Sequence, residues 1–390
     1  MIRNWIIREE DLDGGEPIPR FSHDVITIAN YSFEENENLY ISGFLGTGKT
    51  TVLQLMYYRF NVEKKGSILL LVFRKVDEER LKIMFKEYGL DANVMNFWKF
   101  KTSSVHYDYI LCDDVQLIGR SYLSEIKKRA KHVIVTMNPV IEIFRSCPLT
   151  HEPTLTYNDV QEILQPTVFD LHFSHLTENA INIAQTLLNK DIPYRHYNPI
   201  HIDAQAYICK VDNNLDETKY IHDQAQRSIT RGYSTAVLIP TNRGIVSFIN
   251  NLIQLEGKES WKQKLDKYGR IDFSDLNQYM SSIGLNYQII GNGCGSLTDI
   301  GTKTTLMTYH GSMGFVFGYV FMPNLNSDLF ISYDESINRN LFVLALTRSK
   351  KDVYLLYSGT KHPYIDEMIE ICNIDVMSID DDSSFGHLEI

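Results

Sequence analysis

The sequence predicts an α/β protein of two successive halves, each a parallel sheet covered by helices. Three observations carry that prediction. Apolar runs of strand length alternate with helical patterns through the first half. The same style resumes in the second half after a proline-bearing stretch. At 390 residues the chain is also long enough for two or three packed domains.

In the first half the strand-like runs are "NLYISGF", "SILLLVF", "YDYILCD" and "HVIVTMN", and the helical patterns are "KTTVLQLMYYRF", "DEERLKIMFKEYGL" and "SYLSEIKKRA". Residues 146–167 contain Pro148, Pro153 and Pro166 and are expected to be a linker, which sets domain boundaries at 1–165, 166–360 and a tail at 361–390. Strand-like runs then recur as "TAVLIPT", "NYQIIGN", "TTLMTYH", "YVFMPNL" and "DVYLLYSG". The final stretch, "IDVMSIDDDSSFGHLEI", has five acids and no Lys or Arg, and is expected to be a solvated or disordered acidic tail.

Hydrophobic content of 44% with 22% charged residues is ordinary globular composition. No apolar run reaches the roughly 20 residues of a membrane span, and the first residues turn acidic too soon for a secretory signal. Five scattered cysteines without a C-x-x-C pair suggest neither a disulfide framework nor a zinc ribbon. A cytoplasmic location is the expectation. The net charge of −11 argues against a dominant sequence-independent grip on nucleic acid and leaves room for a local basic groove.

The chemistry begins at "GFLGTGKT". Gly43, Gly46, Thr47 and Gly48 form a loop whose backbone N–H groups can close around phosphates, Lys49 supplies a point charge, and the Thr50 hydroxyl can ligate Mg²⁺, with Thr51 following. The loop follows a strand pattern and opens a helix whose dipole favours an anion. Such a loop needs a metal-holding acid at the end of a neighbouring strand, and "YDYILCDDVQ" supplies Asp113 for the metal, Asp114 for the attacking water and Gln116 to reach the γ-phosphate. Far downstream, Arg348 in "LALTRS" is placed as an arginine finger. ATP and Mg²⁺ are the expected cofactors.

With these residues in hand, the chain from about residue 18 to 360 resembles superfamily 1 helicases of the UvrD/Rep type. Thr47-Gly48-Lys49-Thr50 looks like motif I, Asp113-Asp114-Val115-Gln116 like the D-E-x-Q of motif II, and "NRNLFVLALTRSKKDVYLLYSG" like motif VI, with Arg339 and Arg348 on its two arginine positions. "LLLVFRK" is similar to motif Ia, "VMNFWKF" to Ib, "VTMNPVIEIF" to III, "LHFSHLTENAINIAQTLL" to IV and "TTLMTYHGSMGFVFGYVFM" to V, all in the family's order. The resemblance implies two RecA-like domains binding ATP between them, with Arg348 completing the site from the second. It also implies His175 at the position that packs on adenine. For single-stranded nucleic acid, DNA ahead of RNA, it implies Phe73, Arg74, Phe97, Trp98, Phe144, Thr308 and His310 as contacts.

The departures are informative. The family's motif II Glu is Asp114, one methylene shorter; the motif III Gln is Ile141; the motif IV Arg is Leu176; and the motif V Lys and Glu are Met313 and Val316. Val25 stands where an adenine-reading Gln is expected. Only six residues separate "NFWKF" from "YDYIL", so no large accessory insertion is expected, and residues 256–284 form the one moderate candidate. The expected function is an ATP hydrolase acting on single-stranded nucleic acid in DNA repair or phage defence. The alternative is a nucleotide-gated module that recruits or gates a protein partner such as a nuclease.

Overall fold

The computed structural model describes residues 21–190, 205–291, 293–372 and 376–379, with positions 12, 13, 16, 17, 192, 195, 196 and 374. The chain divides into two compact units, Met1–Thr177 with Ile192–His201, and Glu178–Asp191 with Ile202–Ile390.

In the first unit, helix α1 (His23–Ala29) precedes β1 (Leu39–Gly43), α2 (Lys49–Val62), β2 (Ile68–Val72), α3 (Lys75–Glu87), β3 (Val94–Asn96), α4 (Phe97–Thr102), β4 (Tyr107–Cys112), α5 (Arg120–Lys128), β5 (Ala130–Met137), α6 (Tyr157–Leu164) and β6 (Thr167–Leu171). The six strands pair in the order β3-β2-β4-β5-β1-β6 and every pairing is parallel. Both faces are covered, which is why β2 reads as an unbroken apolar run and β1 as one broken only by Ser42, with both strands buried at every residue. Strand β5 lies between the strand that feeds the glycine loop and the strand that ends in the acids, so its side chains can serve both.

The second unit comprises α7 (Glu178–Leu188), β7 (Ala206–Lys210), α8 (Asn214–Thr230), β8 (Thr235–Ile239), α9 (Asn242–Leu255), α10 (Phe273–Ser282), β9 (Tyr287–Ile289), β10 (Thr304–Thr308), β11 (Tyr319–Met322), α11 (Glu335–Leu346), β12 (Val353–Tyr357), α12 (Pro363–Cys372) and β13 (Val376–Ser378). Its seven-stranded sheet, β9-β10-β8-β11-β12-β7-β13, is also parallel throughout. Two parallel sheets with interleaved helices give the α/β architecture, consistent with two RecA-like domains.

Two boundaries differ from the expectation. Residues 146–167 are not a linker: Thr156 and Asp159 close a capping box at the start of α6, Leu155, Val160 and Leu164 are buried in the first core, and β6 joins the first sheet beside β1. Proline suggested a break, while burial of this apolar set ties the segment down. The first unit therefore runs past residue 165 to Thr177. Residues 361–379 likewise belong to the second unit, since α12 buries Tyr364, Ile365 and Met368 and β13 pairs with β7. The acidic stretch 380–390 lies outside the described residues. The 256–284 segment is a short hairpin followed by α10, fastened to the second core by Trp261, which is 7% exposed and donates its ring N–H to Asp275 at 2.8 Å. Among the described residues, no helix is long and apolar enough to cross a membrane.

Candidate active site

The loop between β1 and α2 needs glycine for two distinct reasons. Gly48 holds the N-terminus of α2 at φ 88°, a left-handed conformation that L side chains rarely adopt. At Gly46 (φ 72°) a Cβ would also lie 3.0 Å from Ser174 Oγ and 3.1 Å from Leu176 Cγ. Thr47 is fully buried and donates its hydroxyl to the Phe44 carbonyl at 3.0 Å, fixing the turn. The Lys49 ammonium folds back over the loop onto the carbonyls of Gly43 (2.9 Å) and Phe44 (2.7 Å). Thr51 follows Thr50 in the first turn of α2.

Opposite the loop, the structure brings Asp113 and Thr50 together. The Thr50 hydroxyl donates to Asp113 Oδ2 at 2.6 Å, and the Thr136 hydroxyl donates to Oδ1 at 2.6 Å. Burial, and then the charge of Asp114, push the Asp113 carboxyl up to about 6, against the two hydroxyls and Lys49. Thr136 was not singled out in the sequence. It sits on β5 and also accepts the Asp114 N–H at 3.0 Å, so one hydroxyl fixes both acids. The signal was present in "VTMN", a polar residue on a strand expected to be wholly apolar.

Asp114 has φ 53°, left-handed for a non-glycine residue. Asp and Asn enter that region more readily than longer acids, which gives a physical reason for Asp where the motif has Glu. Gln116 faces this acid: its side-chain N–H donates to Asp114 Oδ1 at 2.9 Å, and its carbonyl accepts the Asn138 N–H at 3.3 Å. The donor set of one buried carboxylate and one hydroxyl suits Mg²⁺, which keeps most of its shell for water and phosphate oxygens. Among the described residues no group of three His, Cys, Asp or Glu side chains could hold a metal alone.

The chain returns to the loop at residues 173–176. The His175 N–H donates to the Gly46 carbonyl at 3.0 Å, with the residue itself exposed, and the buried Ser174 hydroxyl donates to the Leu45 carbonyl at 2.8 Å. Leu176 therefore brings an apolar side chain to the loop where the motif carries Arg. Val25, 1% exposed, packs against Gly48, whose Cβ would lie 3.0 Å from Val25 Cγ2.

Several other candidates take different roles. Phe97 is fully buried between Phe73 (6.0 Å) and Tyr122 (5.5 Å), so the expected stacking face is a core position. Trp98, at 61% exposure, faces solvent instead. Phe73 and Phe144 are half-buried neighbours with ring centres 6.4 Å apart. Arg74 is gripped by both oxygens of Asp77, at 2.7 and 2.8 Å, so its charge is largely neutralised where a backbone contact was expected.

In the second unit, Arg339 is tied to both oxygens of Glu367 (2.7 Å each), to Glu335 (3.2 Å) and to the Leu187 carbonyl (3.0 Å), and it lies over the Tyr364 ring. These bonds clamp α7, α11 and α12 together. Arg348 is 6% exposed and donates to the carbonyls of Leu344 (2.9 Å) and Phe315 (3.4 Å) and to Thr347 Oγ1 (3.0 Å). Thr308 ends β10, where its hydroxyl accepts the Gly311 N–H at 3.0 Å, and half-buried His310 lies in that turn. The glycine-rich turn after β9 leads into a short 3₁₀ turn, Leu297–Asp299, rather than an α-helix. Its cavity of about 330 Å³ includes Lys303 already paired with Asp299 at 2.8 Å, unlike the phosphate loop.

No protein-family model and no curated protein matches the chain. Among solved structures, the C-terminal domain of a possible DNA helicase from Lactobacillus plantarum covers 49% of this chain and 91% of its own length, at 11% identity and a TM-score of 0.33.

Proposed function

We propose that the protein binds ATP with Mg²⁺ at the first unit's glycine loop and hydrolyses it, in the manner of the superfamily 1 helicases it resembles, in response to single-stranded nucleic acid. The observation that supports this best is the cluster of Lys49, Thr50, Asp113 and Thr136 at the mouth of a glycine loop, with Asp114 and Gln116 beside it. Lys49 would exchange the two loop carbonyls for phosphate oxygens. Thr50 and Asp113 would hold the metal, which supplies neutralising charge to the phosphates. Asp114, aimed by Gln116 and by the Thr136 hydroxyl, would orient water and accept its proton. Arg348 would supply the transition-state cation. Phe73, Trp98, Phe144, Thr308 and His310 remain the proposed strand contacts.

Steady-state phosphate release with and without single-stranded DNA, beside Lys49→Ala, tests the reading. Turnover that rises with the strand and falls roughly 10²- to 10³-fold in Lys49→Ala is the expected result. Equal turnover in the variant would sink it. A second reading, a clamp that closes on ATP with little hydrolysis and recruits a protein partner, draws support from Leu176 at the loop. Tight ATP binding with no turnover under any condition would favour that clamp.

A further inference from the structure

We infer that the hairpin at residues 264–272 is a contact for single-stranded nucleic acid, with Tyr268 as its stacking platform; this rests on the nucleic-acid reading above and names a surface for it. In a chain of net charge −11, residues 258–270 hold five basic side chains against two acids. Three of those cations, Lys258, Lys262 and Lys267, have no carboxylate partner among the described residues, whereas Lys264 and Arg270 are paired with Asp275 (2.6 Å) and Asp266 (2.8 Å). The turn is a defined structure. Leu265 bridges Ile271, the Asp266 N–H donates to the Arg270 carbonyl at 2.7 Å, and the Asp266 carboxylate accepts the N–H groups of Tyr268 (2.8 Å) and Arg270 (2.9 Å).

That frame presents Tyr268 at 68% exposure, with the Lys267 ammonium 5.0 Å and the Arg270 guanidinium 4.9 Å from the ring centre. Leu265, at 58%, is exposed beside it. Trp261 fixes the base of the hairpin in the core. An exposed aromatic ring with two cations lying over it on a fixed turn matches what a single strand offers, a base to stack on ring or guanidinium and phosphates to neutralise. The local charge favours a polyanion, and the aromatic tip favours one that carries π-faces.

Fluorescence anisotropy of a labelled oligothymidylate, titrated with the full chain over a salt series, tests this. Tyr268→Ala is expected to weaken binding on the order of tenfold, with Tyr268→Phe close to wild type. Lys262→Ala with Lys267→Ala is expected to flatten the log–log salt slope by about 1.4, or roughly 0.7 per lost phosphate contact. Wild-type binding that neither Tyr268→Ala nor the lysine pair alters would overturn the hairpin and leave the nucleic-acid reading intact. Failure of the wild type to bind, with or without a nonhydrolysable ATP analogue, would overturn both. Polyglutamate competing as well as oligothymidylate, with Tyr268→Ala silent, would make this a surface for an acidic polypeptide and overturn the inference.

Discussion

Each unit buries a carboxylate beside its parallel sheet, and the two are treated differently. Asp113 of the first unit accepts two hydroxyl hydrogen bonds and sits near Lys49. Glu217 of the second, 1% exposed on α8, accepts the Asn324 N–H at 2.9 Å, and burial pushes its carboxyl up to about 8. One architecture thus serves two ends. The first unit surrounds its acid with groups that can be re-paired by a ligand, and the second keeps its acid as a protonated packing element. The sheet supplies position, while the neighbours of the acid decide whether it is chemistry or structure.

The largest test of that contrast asks whether the second unit joins the chemistry at all. Arg348→Ala is expected to cut ATP turnover by about 10³-fold or more, the usual worth of an arginine finger. A loss of melting temperature with turnover retained would make Arg348 a packing residue like Glu217. Lys49→Ala comes next, with a fall of roughly 10²- to 10³-fold in phosphate release, in line with removal of one preorganised charge-stabilising donor.

Glu217 gives the pH test. Its folded value, about 8, lies above the ordinary value of 4.5. The unfolded chain therefore releases this proton first as pH rises, so stability falls between those two values and levels off above the upper one. Glu217→Gln is expected to remove that dependence and to raise stability at pH 8 by a few kcal/mol, read by urea unfolding at pH 5 and pH 8. An unchanged pH slope in the variant would show Glu217 to be ionised in the folded protein.

The smallest effects come from a matched pair of buried strand threonines. Thr136 has its hydroxyl fully engaged with the two acids, and Thr136→Val is expected to cost about 1–3 kcal/mol. Thr305 on β10 is fully buried, and among the described residues its Oγ1 has no hydrogen-bond partner. Thr305→Val is expected to be neutral or to stabilise by up to about 1 kcal/mol, in the same unfolding assay. Equal losses at both sites would erase the distinction between the units.

Much of this was legible because the signals are local. Glycine spacing, a following helix and an apolar strand ending in two acids are read within a few residues, and the structure joins Thr50 to Asp113 with Asp114 and Lys49 near that carboxylate. The rest depends on partners distant in sequence. Three prolines made 146–167 look like a linker, although the Thr156-x-x-Asp159 cap and the spacing of Leu155, Val160 and Leu164 already carried a helix signal. Arg339 and Arg74 could be read as cations, but not as cations already bound by Glu367 and Asp77. Phe97 and Trp98 are adjacent and equally aromatic, and only the fold shows which one faces inward.

The Ser174–His175 segment has a consequence for mechanics. Its two hydrogen bonds to the glycine loop lie only a few residues before Glu178, where the chain passes into the second unit. The glycine loop and the peptide that leads out of the first unit are thereby fastened to each other by two hydrogen bonds. One of these two ties, from the His175 N–H, joins backbone groups and survives any side-chain change, whereas the other is lost with the Ser174 hydroxyl, so Ser174→Ala halves the link without touching the glycines.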